Sequence, residues 1–407
     1  MVTWRALVLS LRPRRPRIYL HIGAMKTGTT YLQDLMSANR DQLRAAGVLF
    51  PGERWAEQSA AAGDVLGFTA GDADRAAELS GAWQAMATQM MGWRGKASVF
   101  SMEFLSFADE EQARRVLDSL EGAEVHVVLT VRDATATIPA QWQTICRNGG
   151  KVAFRRFVYG VKEALDSGGE TEDRPVRMLM RTQGIGRMLG VWVPLVGADH
   201  VHVVTVPPKG ADPDLLWQRF ASVIKVKPSV CTEPVETSNP SLGHASTEFL
   251  RRVNIALGPL SYHEQTGVLK GPLARHVLGP RAPLEKSIRL HRRGHAFARR
   301  WNGEIRAAIE QSGARVVGSL EDLPSEKPPL SLPKTLYRPT PAELLAAAET
   351  AREGLLALQA ELAEEVVRHG AEPAYATGPA PSDVVDPGAD QHAGSGTDAV
   401  DLHGFDP

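Results

Sequence analysis

The stretch Arg17-Ile-Tyr-Leu-His-Ile-Gly-Ala-Met-Lys-Thr-Gly-Thr-Thr-Tyr-Leu-Gln33 decides how the chain is read. Ile18, Leu20 and Ile22 alternate as in a strand, and Tyr31, Leu32, Leu35 and Met36 recur at helical spacing. Between them lies a loop with glycines at 23 and 28. A strand that turns through glycine into a helix aims backbone N–H groups and the positive end of a helix dipole at one point, a geometry that suits a phosphate. Thr27, Thr29 and Thr30 add hydroxyls and Lys26 adds a mobile cation, so the loop is expected to hold a phosphorylated nucleotide.

The position of the lysine separates nucleotide classes. In the ATP and GTP loop, G-x-x-x-x-G-K-[ST], the lysine follows the second glycine and a Ser or Thr holds magnesium. Gly23 and Gly28 keep that spacing, but Thr29 stands at the lysine position and the lysine lies inside the loop. Lys26-Thr27-Gly28-Thr29-Thr30 resembles the 5′-phosphosulfate loop of sulfotransferases that use 3′-phosphoadenosine 5′-phosphosulfate (PAPS). The resemblance implies a P-loop α/β fold, PAPS as co-substrate without a metal, and Lys26, Thr27, Gly28, Thr29 and Thr30 as its binding loop. Lys26 is then also catalytic, offsetting charge on the phosphate oxygen as the sulfuryl group departs. The alternatives are a nucleoside-triphosphate phosphotransferase with an unusual loop, or a non-catalytic nucleotide-binding protein of the same fold.

Further along, the apolar run Glu124–Val131 has the character of a buried parallel strand and ends in Arg132-Asp133. Arg132 resembles the arginine of the family's Arg-Asp-Pro element, which implies a grip on the donor's 3′-phosphate; guanidinium geometry suits bidentate phosphate contact. The plain alternative is a structural Arg–Asp pair at a strand end. The family's serine eight residues on is replaced by Ala140, which leaves Gln141, Gln143 or another segment to supply that contact. Leu269-Lys270-Gly271-Pro272 resembles faintly a stretch that closes over the 3′-phosphate, though such a turn is common punctuation. For the acceptor's proton, the resemblance points to the end of the strand Ala97–Ser101, where Glu103 is the first carboxylate; the competing role is a helix cap or ion pair. His21 ranks second, because a histidine on a buried strand is usually a core residue.

Outward from these motifs, strands near 47–51, 97–101, 124–131, 200–206 and 315–318 alternate with helices. The expected architecture is α/β: a three-layer α/β/α domain with a central, mostly parallel sheet and additional helices. Its boundaries fall at 16–325, after an N-terminal arm over 1–15. A proline-rich link and helix cover 326–369, and a tail over 370–407, poor in large apolar residues, is expected to be disordered. The helix carries Leu344, Leu345, Leu355, Leu356, Leu358 and Leu362, a stripe that packs back on the domain or pairs with a second copy as a homodimer.

The chain has 407 residues, 43% hydrophobic and 23% charged, with a net charge of -1. That balance fits a sizeable core and argues against nucleic acid as a partner. Its two cysteines, Cys146 and Cys231, are too few for a disulfide framework and lack metal spacing. His291 and His295 stand four apart without a third ligand, and His200 and His202 alternate on a strand as surface or packing residues, so no metal is expected. No segment reaches the roughly 18 apolar residues of a membrane span, so a cytoplasmic location is expected. Abundant Ala, Gly, Arg and Val point to a GC-rich bacterial source. The acceptor class expected is a hydroxyl, or an amine, of a carbohydrate, glycolipid or small molecule. Trp55, Trp83, Trp93 and Trp142 are candidates to stack on it, although scattered tryptophans more often pack a core.

Overall fold

The strand-forming runs meet in one sheet. A computed structural model of the chain describes residues 15–68, 73–235, 241–261 and 264–369. Most of the expected arm over 1–15 and the whole tail over 370–407 lie outside them. Six strands, β1 (Arg17–His21), β2 (Val48–Leu49), β3 (Ala97–Ser101), β4 (Glu124–Val131), β5 (Val201–Thr205) and β6 (Arg315–Val317), line up in the order β2-β3-β1-β4-β5-β6. Every pairing is parallel, and β1, β3, β5 and most of β4 are buried, as near-continuous apolar runs suit, while the edge strand β6 stays largely exposed. The register sets His21 beside both Ser101 and Val128, and Val131 beside Thr205.

Alternation along the strands sorts the two faces. Tyr19, Val99, Val128 and Val204 share one face and pack on Leu32, Leu35 and Met36 of helix Thr29–Ala38 and on Trp217, Phe220 and Ile224 of the segment that begins with helix Leu215–Val223. Ile18, Leu20, Phe100 and Leu129 point the other way, and Trp83 sets its edge on Phe100 with ring centroids 5.4 Å apart. Helices therefore cover both faces, the three-layer α/β/α arrangement with added helices. After β3 the chain stops building toward β2 and begins building toward β6. The strand order reverses between β1 and β4, which is where open parallel sheets bind ligands, beyond the carboxyl ends of the strands.

Among the described residues the chain divides into two units, the first drawn from 15–138, 158–235 and 290–335, the second from 139–157, 241–289 and 336–369. The first unit contains the sheet and all six strands. In the second, Leu250, Leu269, Leu273, Leu278 and Ala351 form a core. They come from helix His244–Leu257, the π-helical segment Gln265–Leu278 and helix Pro341–His369. Lys270-Gly271-Pro272 therefore lies within a helix and is no turn. Helix Pro341–His369 packs back on its own unit through Ala347, Ala351 and Leu355, while Leu345 and Leu356 stay exposed. Thr340 and Glu343 exchange backbone and side-chain bonds at its start, a capping box that fixes where it begins. Beside Ala140, Gln141 is buried and Gln143 donates to the Leu242 carbonyl at 2.8 Å. No helix among the described residues is long and apolar enough to cross a membrane.

One glycine at the head of the loop helix has a demanding place. Gly28 sits at φ +87°, and a Cβ there would lie 2.5 Å from Cδ2 of Leu216. Gly28→Ala is expected to cost about 1–2 kcal/mol, the left-handed penalty of an L residue, read as a lowered urea midpoint with an unchanged slope.

Candidate functional site

The loop between β1 and helix Thr29–Ala38 is held from below by three polar residues at the carboxyl ends of neighbouring strands. Thr130 of β4 bonds the Thr27 hydroxyl at 2.6 Å, the Gly23 carbonyl at 3.0 Å and His21 Nε2 at 3.2 Å. His21 Nδ1 lies 2.7 Å from the Ser101 hydroxyl of β3. Both Thr130 and His21 are fully buried. The Thr27 hydroxyl also donates to the Ala24 carbonyl, and Gln183 Nε2 donates to the Met25 carbonyl at 2.5 Å. Thr130, Thr27 and Gln183 bond loop carbonyls directly, and His21 and Ser101 brace Thr130 from behind, so the network fixes the shape of residues 23–27.

This assigns the expected loop residues distinct places. Thr27 is buried with its hydroxyl turned into the protein, which leaves its backbone N–H as what it can offer a ligand. Lys26 is half-buried at φ +60°, on the crown of the loop. Gly28 is the N-cap of the helix and no side chain caps the first turn, so none of its amide donors is taken up by a capping hydroxyl or carboxylate. Thr29 and Thr30 open that helix, Thr29 buried and Thr30 half-buried.

Arg132, directly after β4, reaches the same loop: its Nη1 donates to the Lys26 carbonyl at 3.3 Å. Burial pushes its pKa below the usual arginine value, with the charge of Asp133 opposing that shift. Asp133 does not form a simple pair with Arg132. Its Oδ1 accepts from Asn302 Nδ2 at 2.7 Å and from the Thr135 backbone at 2.8 Å, which fixes the turn out of the strand.

Glu103 opens the 3₁₀ turn Glu103–Phe107 two residues past β3 and is 8% exposed. It stands against the other flank of the loop, since a Cβ on Gly23 would lie 3.1 Å from the Glu103 Cβ. Gln33, on the loop helix, holds it: Nε2 donates to Glu103 Oε2 at 2.9 Å and to the Ser101 carbonyl at 2.8 Å. Lys26, Arg132 and Glu103 thus gather around one loop at the switch point of the sheet. His21 is different. Both its ring nitrogens bond inward, and burial lowers its pKa to about 3, so it is a neutral structural residue.

Of the four tryptophans weighed as acceptor contacts, three are tied inward. The indole N–H groups of Trp83, Trp93 and Trp142 donate to the Ser119 hydroxyl, the Gly47 carbonyl and the Val152 carbonyl. Trp55 instead sets its edge against Phe104, the residue after Glu103, at 6.3 Å between centroids. Thr130, Ser101, Gln33 and Gln183 carry much of the geometry and were not singled out from sequence. For Thr130 a signal existed, a hydroxyl inside an otherwise apolar buried run.

No family model matches the chain, and no curated protein matches it. Among solved structures, a sulfotransferase from Alicyclobacillus acidocaldarius is similar, at 15% identity and a TM-score of 0.34, over 55% of this chain and 87% of that one. A likeness at that level leaves the reading of the site to its own residues.

Two outcomes follow from the buried network. Thr130→Val removes a hydroxyl with three buried partners and is expected to cost about 1–3 kcal/mol of unfolding free energy, measured by chemical denaturation. The second concerns His21, whose folded pKa is depressed. Above its unfolded value of about 6.5 both states are neutral and its contribution is fully present. As pH falls below that value, the unfolded chain takes up a proton that the fold refuses. Stability then drops by up to about 1.4 kcal/mol per pH unit, down to the folded pKa of about 3. Denaturation midpoints taken from pH 7 to pH 4 are expected to fall less steeply in His21→Gln than in the native chain.

Proposed function

We propose that the chain is a sulfotransferase that moves a sulfuryl group from PAPS to a hydroxyl or amine of a carbohydrate, glycolipid or small-molecule acceptor. The observation that carries this reading is the grouping of Lys26, Arg132 and Glu103 around a loop whose helix start has no side-chain cap. A cradle of backbone N–H groups with one internal lysine and a strand-end arginine fits a nucleotide bearing two phosphate positions and no chelated magnesium. The resemblance of residues 26–30 to the phosphosulfate loop agrees with it.

In this reading the loop N–H groups of residues 26–30 hold the donor's 5′-phosphate and Arg132 binds its 3′-phosphate. The donor supplies an activated sulfuryl group: its sulfur–oxygen bond breaks, the electron pair stays on the phosphate oxygen, and the acceptor oxygen or nitrogen bonds to sulfur. Lys26 offsets the charge that grows on that departing oxygen, a preorganised contribution of several kcal/mol in a site of this kind. Glu103 takes the acceptor's proton. Gln33 acts through Glu103: by donating to Oε2 it orients the carboxylate and leaves Oε1 as the proton acceptor. Trp55, against Phe104, is the tryptophan best disposed to contact an acceptor brought to Glu103.

Transfer of labelled sulfate from PAPS into extract-derived acceptors, followed by mass spectrometry, tests the reading. Lys26→Ala is expected to lower turnover by on the order of 10²–10³-fold. Glu103→Gln is expected to lower it by on the order of 10²-fold or more with donor affinity kept. Arg132→Ala is expected to weaken donor binding by on the order of 10-fold or more, the value of a charge-assisted contact. Absence of transfer by the native chain, together with thermal stabilisation only by ATP and magnesium, contradicts the proposal and favours a phosphotransferase.

A further inference from the structure

The face of the sheet that carries Thr130 at its carboxyl end carries a second polar group at its amino end. Counting back along β4 by twos from Thr130 gives Val128, His126 and Glu124, all on one face. His202 of β5 lies beside Val128 in the register, and His200 precedes β5. His126 Nε2 is 3.0 Å from Glu124 Oε1, and its ring lies 4.7 Å from that of His200, centroid to centroid. One nitrogen or oxygen from each of Glu124, His126 and His200 lies within 4.8 Å of the other two.

We propose that Glu124, His126 and His200 bind one divalent transition-metal ion of the zinc kind at the amino-terminal end of the sheet. Two imidazole nitrogens and one carboxylate oxygen are a donor set that zinc takes, with a fourth position left for water, and hard magnesium is poorly served by it. The surroundings orient each ligand as metal sites do. His200 Nδ1 donates to the Val196 carbonyl at 3.0 Å, which leaves the Nε2 lone pair for a ligand. His126 Nδ1 meets His202 Nε2 at 3.1 Å, so that histidine has an outer partner for its second nitrogen. Tyr19 stacks on the His126 ring at 4.9 Å and 20°, holding its plane.

Charge bears on the site from two sides. Arg17 Nη2 bonds Glu124 Oε1 at 3.0 Å and Oε2 at 2.9 Å. A metal on Oε1 leaves Oε2 to the guanidinium, and the carboxylate then stands between two cations. Glu124 keeps a third of its side chain in contact with solvent, an entry path for the ion. Six residues of strand separate His126 from Arg132, about 20 Å at roughly 3.3 Å per residue. The site is thus remote from the phosphate loop, and its proposed role is to clamp β4 to the start of β5.

The experiment is calorimetric titration of untagged full-length protein with Zn²⁺, and separately with Mg²⁺, with unfolding temperature measured beside it. The expected result is one Zn²⁺ per chain, a raised unfolding temperature with Zn²⁺, and no saturable Mg²⁺ binding. His200→Ala and Glu124→Gln are each expected to weaken Zn²⁺ binding by on the order of 10-fold or more. Cooperative unfolding of both variants without metal checks that they fold. Lys26→Ala is expected to bind Zn²⁺ as the native chain does, so the outcome is independent of the donor site. No saturable Zn²⁺ binding by the native chain, or unchanged binding in both ligand variants, overturns the proposal.

Discussion

The hydroxyl of Thr130 is the constraint on which the loop depends. It sits near the end of β4, fully buried, and joins the Gly23 carbonyl, the Thr27 hydroxyl and His21 in one knot. A buried hydroxyl without partners costs about 1–3 kcal/mol, so this residue is tolerated there only because the loop passes over it. The dependence runs both ways. The loop carries left-handed backbone at Gly23, Lys26 and Gly28, and conformations of that kind persist where surrounding bonds over-determine them. Thr130, Gln183 and Arg132 all supply such bonds, to the carbonyls of Gly23, Met25 and Lys26 in turn.

Sheet topology then decides which chemical groups meet. Because β1 lies between β3 and β4, the segment following each neighbour flanks the loop on a different side. Glu103 arrives from β3, and Arg132 from β4. A carboxylate and two cations thus stand around one glycine-rich turn, and the proposed function assigns each to a different part of the donor and acceptor. Gln33 and Asn302 hold Glu103 and Asp133 in bonds of their own.

Much of this was legible in residues 17–36 and 124–132. Strands buried on both faces leave continuous apolar runs, and a strand-to-helix turn with positive φ at two positions favours glycine there, as at Gly23 and Gly28, so both features are local. Arg132 and Glu103 are named through the family resemblance, at strand ends visible in sequence, and both lie against the loop. The supporting shell was not legible, since it depends on which strands become neighbours. Thr130 meets Thr27 across 103 residues of chain, and nothing near either one announces the other. The same holds at the opposite end of the sheet. His200 and His202 read as an ordinary alternation on one strand, and only the pairing of β4 with β5 brings His126 between His202 and Glu124. Gathering of Leu250 and Leu269 with Ala351, which lies 82 or more residues on, into a second core is likewise beyond the reach of periodicity.

The proposal that most needs testing is that the crown of the loop, with Lys26 on it, receives the phosphate end of a nucleotide that also bears a 3′-phosphate. A crystal structure of the chain with adenosine 3′,5′-bisphosphate, grown without divalent metal, examines it most directly. The expected result is the 5′-phosphate on the N–H groups of residues 26–30 with the Lys26 amine in contact, and the 3′-phosphate on Arg132. A nucleotide lodged elsewhere, or a Lys26 amine turned to solvent with the ligand in place, would contradict it.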